Sequence, residues 1–165
     1  MLLINKRILA DSWGQVELGS SDIMAVQIRS QIGPILVINM YNDNTNLDSM
    51  HIVVQYMACR GWARESSEGP AHVLWLGDFN SHHPMWDEAQ NAHLFMRANL
   101  DRVQNVIDML TNYDLQMVLP KNLLTLQALA LGNHMRPDNV FATAALATVV
   151  MSCNTMPGEW PTVMI

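Results

Sequence analysis

Two side chains that can do chemistry stand almost side by side near the middle of the chain. Asp78 and Asn80 lie in the segment GDFNSHH (77–83), directly after the apolar run HVLWL (72–76). A carboxylate and a carboxamide at the end of a buried strand can orient a water molecule, bind Mg²⁺ or position a phosphate oxygen. The alternative is a simple turn in which both side chains bond their own backbone. The residues alone leave both interpretations open.

The elements that must position this cluster are predicted to be strands alternating with helices. The apolar and alternating runs predict strands at Met1–Ile8, Ile23–Ile28, Ile35–Met40, His72–Leu76 and Asn139–Phe141, and weaker ones at Met117–Leu119 and Leu124–Leu126. If the strand after His72 continues to Asn80, Asp78 and Asn80 point to one face and Phe79 points into the core.

Two segments have helical spacing. Leu47, Met50, Val54 and Met57 predict a helix capped by Asn46 and ended by Gly61, and Val103, Val106, Ile107 and Leu110 predict a second one from about Asp101. The segment Ala144–Val150 is ambiguous between helix and strand, and GNHMRPD (132–138) predicts a loop. Strands alternating with helices indicate an α/β domain with a buried sheet.

Composition limits the class of protein. The chain has 165 residues, of which 50% are hydrophobic and 15% charged, and this predicts a single domain over residues 1–165. The formal charge of −6 gives no support for nucleic-acid binding. It suits a site that gathers cations, although a solvated acidic surface is the commoner explanation.

Location can be addressed only from what the sequence lacks. No apolar stretch approaches the roughly 20 residues that span a bilayer, so we expect no membrane partner. The apolar start is followed, not preceded, by Lys6 and Arg7, which is the wrong order for a secretory signal. Cys59 and Cys153 are the only cysteines and are expected to be reduced thiols. These features predict an intracellular protein, nuclear or cytoplasmic.

Several motifs resemble, in order and spacing, those of the endonuclease/exonuclease/phosphatase superfamily. The segment WLGDFNSHHPMWDE (75–88) resembles its signature strand and loop, NMYND (39–43) its strand-end tyrosine motif, and RPDNVFA (136–142) its penultimate aspartate motif. LDSMH (47–51), NYDLQMVLP (112–120) and SCNTMP (152–157) are also typical of the endonuclease domain of non-LTR retrotransposons, with fungal elements the most similar. The resemblance implies two packed β-sheets flanked by helices, a four-layer α/β sandwich.

The same resemblance implies metal-dependent hydrolysis of phosphodiesters, with Mg²⁺ or Mn²⁺ as cofactor and DNA as partner. Retrotransposon members nick target DNA and free a 3′-hydroxyl that primes reverse transcription. Asp78 resembles the aspartate that orients or deprotonates the attacking water, and it is also the expected metal ligand. Asn80 and Tyr41 resemble the residues that contact the scissile phosphate. Asp138 resembles the carboxylate that orients the catalytic histidine.

The loop after GDFN carries a histidine pair that belongs to the pattern of this subgroup. The resemblance places His82 and His83, together with Trp86, in the signature loop, and we assign both histidines to substrate binding. An adjacent histidine pair could also ligate a transition metal. Hydrogen bonds that fix the loop are the favoured alternative.

Two family motifs are not matched. The first is an amino-terminal segment with an asparagine and a metal-ligating glutamate. Glu17 could be considered as a substitute for that glutamate, but no motif flanks it and we interpret it as a surface residue. The second is the closing Ser/Thr-Asp-His motif, where the chain has Thr162-Val163-Met164. Valine and methionine neither bind a hard cation nor transfer a proton. We therefore expect a domain incomplete at its amino terminus, with impaired activity and an uncovered sheet edge that could self-associate. The alternative is an inactive remnant or an interaction module.

Overall fold

The computed structural model describes residues 2–43, 46–60, 71–121, 123, 125–127, 134–150, 152–154 and 162–164. The strands are β1 (Trp13–Val16), β2 (Ile23–Ser30), β3 (Gly33–Tyr41), β4 (His72–Asp78), β5 (Leu115–Met117), β6 (Leu126–Gln127), β7 (His134–Met135), β8 (Asp138–Thr143), β9 (Ser152–Asn154) and β10 (Thr162–Met164). The helices are α1 (Asp48–Arg60), α2 (Arg97–Asn112), α3 (Ala144–Ala147) and two 3₁₀ turns, Ala10–Ser12 and Ala89–Leu94.

A mixed six-stranded sheet carries the candidate site. Its strand order is β1-β2-β3-β4-β8-β5, and the described residues add two two-stranded ladders, β9–β10 and β6–β7. Strands β3 and β4 are parallel and are joined through α1, whereas β8 is antiparallel to β4. The carboxyl ends of β3 and β4 and the amino end of β8 therefore meet at one edge of the sheet. The α/β class that the sequence predicts is confirmed.

Each face of this sheet packs against its own hydrophobic cluster, because alternate side chains of a strand face opposite ways. Leu36, Ile38 and Trp75 face α1 and α2, together with the fully buried Phe79. The other face is packed by Leu2, Ile4 and α3, and the strand residues on it are Val26, Ile35, Val37, Leu74, Val140 and Ala142. Both faces of the central strands are thus covered, as their continuous apolar runs require.

Most predicted elements are confirmed, with shifted ends. The first helix begins where expected, because Asn46 Oδ1 accepts the backbone N–H of Asp48 at 3.0 Å. The second begins at Arg97, one turn before the predicted Asp101. The ambiguous segment after residue 143 forms the short helix α3. The predicted stop at Gly61 lies outside the described residues.

Several strand assignments differ from the sequence prediction, including β7, which forms within the predicted loop 132–138, and β9 and β10, which were not predicted. The predicted strand Met1–Ile8 is wrong over its described part, because residues 2–8 are irregular and bury Leu2 and Ile4 without a partner strand. Conversely, β1 was not predicted. Its residues are mostly exposed, so the alternation that marks a half-buried strand is missing there. Within the described part of the chain, none of the helices is both long and apolar enough to cross a bilayer.

Candidate active site

Three of the predicted site residues lie side by side where the central strands meet. Tyr41 is in register with Asp78 across the parallel β3–β4 pair, and Asp78 is opposite Asp138 across the antiparallel β4–β8 pair. Residues in register point to the same face, with Cβ atoms about 5 Å apart. Tyr41 is 50% exposed, and both aspartates are partly buried. We call these three residues the carboxylate edge.

The fourth predicted residue, Asn80, adopts a different conformation from the one expected. Strand β4 ends at Asp78, and Asn80 has a φ of 45°, a left-handed conformation that asparagine tolerates. Its backbone N–H donates to Asp78 Oδ1 at 2.8 Å, and its Nδ2 donates to the Asn42 carbonyl at 2.8 Å. Strand β4 does not continue to Asn80, so the shared strand face of Asp78 and Asn80, which depended on that extension, does not form. The turn that the sequence allowed as an alternative is present at Asp78. Asp78 nevertheless belongs to the carboxylate edge.

Asn42 fixes this turn, although it is not among the site residues predicted from the sequence. Its backbone N–H donates to the Asp78 carbonyl at 2.8 Å, and its Nδ2 donates to the Phe79 carbonyl at 3.1 Å. The only sequence signal for it is its place after Tyr41 in NMYND. Because Asn42 bonds the backbone on both sides of the turn, it determines where Asp78 and Asn80 present their side chains.

Gly77 permits the close approach of the two strands below the site. Its φ of +136° is disfavoured for residues with a Cβ, and an added Cβ would lie 1.9 Å from the Met40 carbonyl oxygen. Only glycine fits at this position. The glycine of GDFN therefore has a structural cause that is independent of any reaction.

Both acidic groups of the carboxylate edge have raised pKa values. The pKa of Asp138 is raised to about 6, chiefly by burial and also by the nearby negative charge of Asp78, while a side-chain hydrogen bond with Thr125 opposes the rise. Burial also raises the pKa of Asp78, and this is opposed by the hydrogen bond from the Asn80 backbone. Two like charges held together in this way favour either a shared proton or a bound cation.

The side chains of the carboxylate edge can be compared with those that usually hold the divalent ion that the family resemblance implies. The described residues contain no group of three or more His, Cys, Asp or Glu side chains arranged to hold a metal. Asp78 and Asp138 nevertheless offer two hard carboxylate groups on the same face. Mg²⁺ in phosphate-transfer sites is often held by one or two carboxylates, with water and substrate phosphate completing its shell. The carboxylate edge fits an ion of that kind.

The histidine pair lies in a loop that is fixed by its own hydrogen bonds. Asp87 is 2% exposed, and its Oδ2 accepts the His83 backbone N–H at 2.9 Å and lies 3.3 Å from His82 Nδ1. The His83 ring packs on the fully buried Trp86 at 5.1 Å between ring centroids, and burial lowers the pKa of His83. His82 and His83 thus both help to fix the loop, and only His82 also lines a cavity beside Asn80.

A buried arginine connects this loop to the sheet. It lies in the motif RPDNVFA (136–142) but is not among the site residues predicted from the sequence. Arg136 is 1% exposed, and its guanidinium donates to Asn139 Oδ1 and to the carbonyl oxygens of Trp86, Leu119 and Pro120. It therefore connects the signature loop, the segment after β5 and the start of β8. Among the histidines whose side chains the structure describes, none hydrogen-bonds to the neighbouring Asp138. The side chains of Thr162, Val163 and Met164 lie outside the described part.

Comparison with known families shows which family this chain belongs to. The sequence model of the endonuclease–reverse transcriptase family matches residues 35–160. The chain belongs to this family. Its predicted membership of the endonuclease/exonuclease/phosphatase superfamily is confirmed, and by family it is a nuclease-type domain. A search of curated protein sequences gives no match.

Solved structures share the fold at low sequence identity. The endonuclease domain of TRAS1, a telomere-specific non-LTR retrotransposon, is similar with a TM-score of 0.62 and 17% identity over 86% of this chain and 60% of that one. An AP endonuclease from Archaeoglobus fulgidus is similar with a TM-score of 0.54 and 15% identity over 86% of this chain and 64% of that one. The chain thus spans less than two thirds of either protein.

Proposed function

We propose that the carboxylate edge and Asn80 form the phosphate-binding and water-activating part of a metal-dependent DNA endonuclease, in a single domain over residues 1–165. The observation that carries this proposal is the register that aligns Tyr41, Asp78 and Asp138 on one face, with Asn80 fixed beside them. Phosphodiester hydrolysis needs an oriented nucleophile and donors for the phosphate oxygens, and these side chains are of the right types.

Each side chain has a role that its surroundings support. The Tyr41 phenol is half exposed and can donate to a phosphate oxygen. Asn80 has one Nδ2 hydrogen committed to the Asn42 carbonyl, which leaves the second Nδ2 hydrogen to donate to a phosphate oxygen. Asp78 orients the attacking water and accepts its proton.

Asp138 lies beside Asp78 and is the second acidic group of the site. With its pKa near 6, it is largely ionised at neutral pH and can share a cation with Asp78. A Mg²⁺ or Mn²⁺ ion held by these two carboxylates would supply positive charge to the phosphate. The family resemblance instead gives Asp138 the task of orienting a histidine, and the chain has Met164 where that histidine is expected.

A second candidate function is DNA binding without hydrolysis, and the residues that stand in place of the closing motif favour it. Val163 and Met164 replace the aspartate and histidine of the closing motif, and catalytic groups that act as a unit are not replaced singly. We therefore expect slow nicking by this chain, and faster nicking after Val163→Asp together with Met164→His.

The test is nicking of supercoiled plasmid DNA in Mg²⁺, with and without EDTA. We expect slow EDTA-sensitive nicking that falls at least about 100-fold in Asp78→Ala, whereas Asp11→Ala, on the exposed 3₁₀ turn, keeps the wild-type rate. Absence of nicking with retained Mg²⁺-dependent DNA binding would support the binding function. Nicking that persists in Asp78→Ala, or a protein that neither nicks nor binds DNA, would reject the proposal.

A further inference from the structure

The backbone around His82 in the signature loop is held on both sides. Immediately before it, the Ser81 carbonyl accepts a hydrogen bond from Trp86 Nε1 at 3.1 Å. Immediately after it, the His83 backbone N–H donates to Asp87 Oδ2 at 2.9 Å. Trp86 is 0% exposed and Asp87 2% exposed. The position of His82 is therefore determined by two residues that are anchored in the core.

The same buried carboxylate also holds the imidazole ring of His82. Asp87 Oδ2 lies 3.3 Å from His82 Nδ1, and the Asp87 side chain is 0% exposed whereas the His82 side chain is 21% exposed. An ionised carboxylate can only accept hydrogen bonds, so the Nδ1 atom carries the proton in this contact. The ring thus has one nitrogen held by the buried acid, which leaves Nε2 for another partner.

A protonated His82 would compensate the burial of Asp87. Burying a carboxylate without a paired charge is strongly unfavourable, and Asp87 Oδ1 accepts no hydrogen bond within the described part of the chain. An imidazolium at His82 supplies the paired charge, and in that form Nε2 carries a proton that it can donate. Because backbone hydrogen bonds already fix the loop on both sides of His82, the contact with its ring is not needed for that purpose.

His82 also lies close to the phosphate of the proposed reaction. It follows Asn80 by two residues, so their Cα atoms are at most about 7 Å apart. Under the proposed function Asn80 donates to a phosphate oxygen, and Asp78 accepts the proton of the attacking water. The turn therefore carries a proton acceptor before the phosphate-binding residue and a proton donor after it.

We propose that His82 donates the proton that the leaving 3′ oxygen takes up, and that Asp87 positions the imidazole for this step. The inference rests on the proposed function. Water attacks the phosphorus and one of its protons passes to Asp78, while the bond from phosphorus to the 3′ oxygen breaks and that oxygen takes the Nε2 proton. Asp78 then loses a proton to solvent, and the imidazole regains one. Such a donor is needed because Val163 and Met164 replace the acid and the histidine of the closing motif.

The test separates proton donation from every other contribution of His82. The position that the wild type nicks in duplex DNA with Mg²⁺ is mapped first, and a second duplex then carries sulfur in place of the 3′ oxygen at that position. Sulfur leaves as a thiolate and needs no proton. We expect His82→Gln to cleave the natural duplex about 100-fold more slowly than the wild type, and the sulfur duplex within about threefold of it. A defect in folding or in DNA binding would slow both reactions equally.

Two further variants test the pair. Asp87→Asn keeps the size of the side chain but removes its charge, so we expect cleavage of the natural duplex to slow about tenfold and cleavage of the sulfur duplex to stay near the wild-type rate. His93→Gln, on the exposed part of the 3₁₀ turn Ala89–Leu94, also removes one imidazole. It is the matched control and should keep both rates.

Equal slowing of the two duplexes by His82→Gln, or unchanged cleavage of the natural one, would overturn the inference. The proposed function would survive that result, because the wild type still nicks and Asp78→Ala does not. Unchanged ratios of the two rates in Asp87→Asn would overturn the positioning role of Asp87. A wild type that nicks no DNA would reject the proposed hydrolysis and, with it, the role of His82.

Discussion

The carboxylate edge and a cavity that we call the hollow share Asn80, yet they are built in different ways. Tyr41, Asp78 and Asp138 are strand residues, and the hydrogen-bonded register of β3, β4 and β8 determines their positions. The hollow is a cavity of about 310 Å³ beside Asn80, bordered by Met50 of α1, by Arg102 and Val103 of α2 and by the signature loop, and the tertiary contacts between these elements determine its shape. One region is positioned by the backbone and the other by tertiary contacts.

This difference predicts different responses to mutation. A ladder of backbone hydrogen bonds tolerates side-chain changes but not changes that alter strand geometry. A packed cavity responds to every change in the side chains that anchor its walls. Substitutions that act on the backbone should therefore affect the carboxylate edge first, and loss of a buried anchor should affect the hollow first.

The largest effect is expected for Gly77→Ala. The new Cβ would lie 1.9 Å from the Met40 carbonyl oxygen at a φ of +136°, so β3 and β4 must separate below Asp78. We expect a loss of at least about 3 kcal/mol in the free energy of unfolding, measured by urea denaturation. Gly14→Ala is the matched control, because a Cβ there meets nothing within 4 Å. Equal stability of the two variants would show that the strand ends do not approach as described.

The two regions also differ in how far the sequence could predict them. Tyr41, Asp78 and Asp138 end or begin strands whose apolar runs are unambiguous, so the motifs and the strand pattern together place them at one edge. Asn42 could not be found in this way, because its importance comes from hydrogen bonds to residues 36 and 37 positions away.

Arg102 shows the same limit for the hollow. It is one of several polar residues on an amphipathic helix, and no local pattern indicates which of them borders a cavity. Helix periodicity predicts the buried face of α2 correctly through Val103, Val106 and Leu110. It does not specify how the exposed side meets the loop after β4, because that contact depends on how the helix packs against the sheet.

A smaller effect is expected for Arg136→Met, and it should fall mainly on the hollow. Methionine retains much of the side-chain volume but leaves the carbonyls of Trp86, Leu119 and Pro120 without their donor. We expect a loss of about 2 to 3 kcal/mol in the free energy of unfolding. Since Trp86 belongs to the loop that carries His82, and His82 and Met50 both line the hollow, the ¹³C-methyl NMR signal of Met50 should shift as well.

Arg97→Met is the control for this variant. Its side chain is 94% exposed, so stability should change by less than about 0.5 kcal/mol. If Arg136→Met is as stable as the wild type, the buried guanidinium does not anchor the loop. If it is less stable but the ¹³C-methyl NMR signal of Met50 does not shift, packing elsewhere holds the hollow in shape.

The smallest effect is a pH dependence that belongs to the carboxylate edge alone. Because the pKa of Asp138 is raised from 3.8 to about 6 in the folded protein, the folded state holds its proton more tightly than the unfolded state. The stabilisation from this group is fully present below about pH 4 and is lost as the pH rises through about 6.

Asp138→Asn removes this titration. In EDTA, the stability of this variant relative to the wild type should therefore rise between pH 4 and 6 and stay constant above. Urea denaturation across this range measures the difference, with Asp11→Asn expected to follow the wild type. A variant that differs from the wild type by the same amount at pH 4 and pH 7 would show that Asp138 titrates as an ordinary exposed carboxyl, and the carboxylate edge would then carry no charge strain.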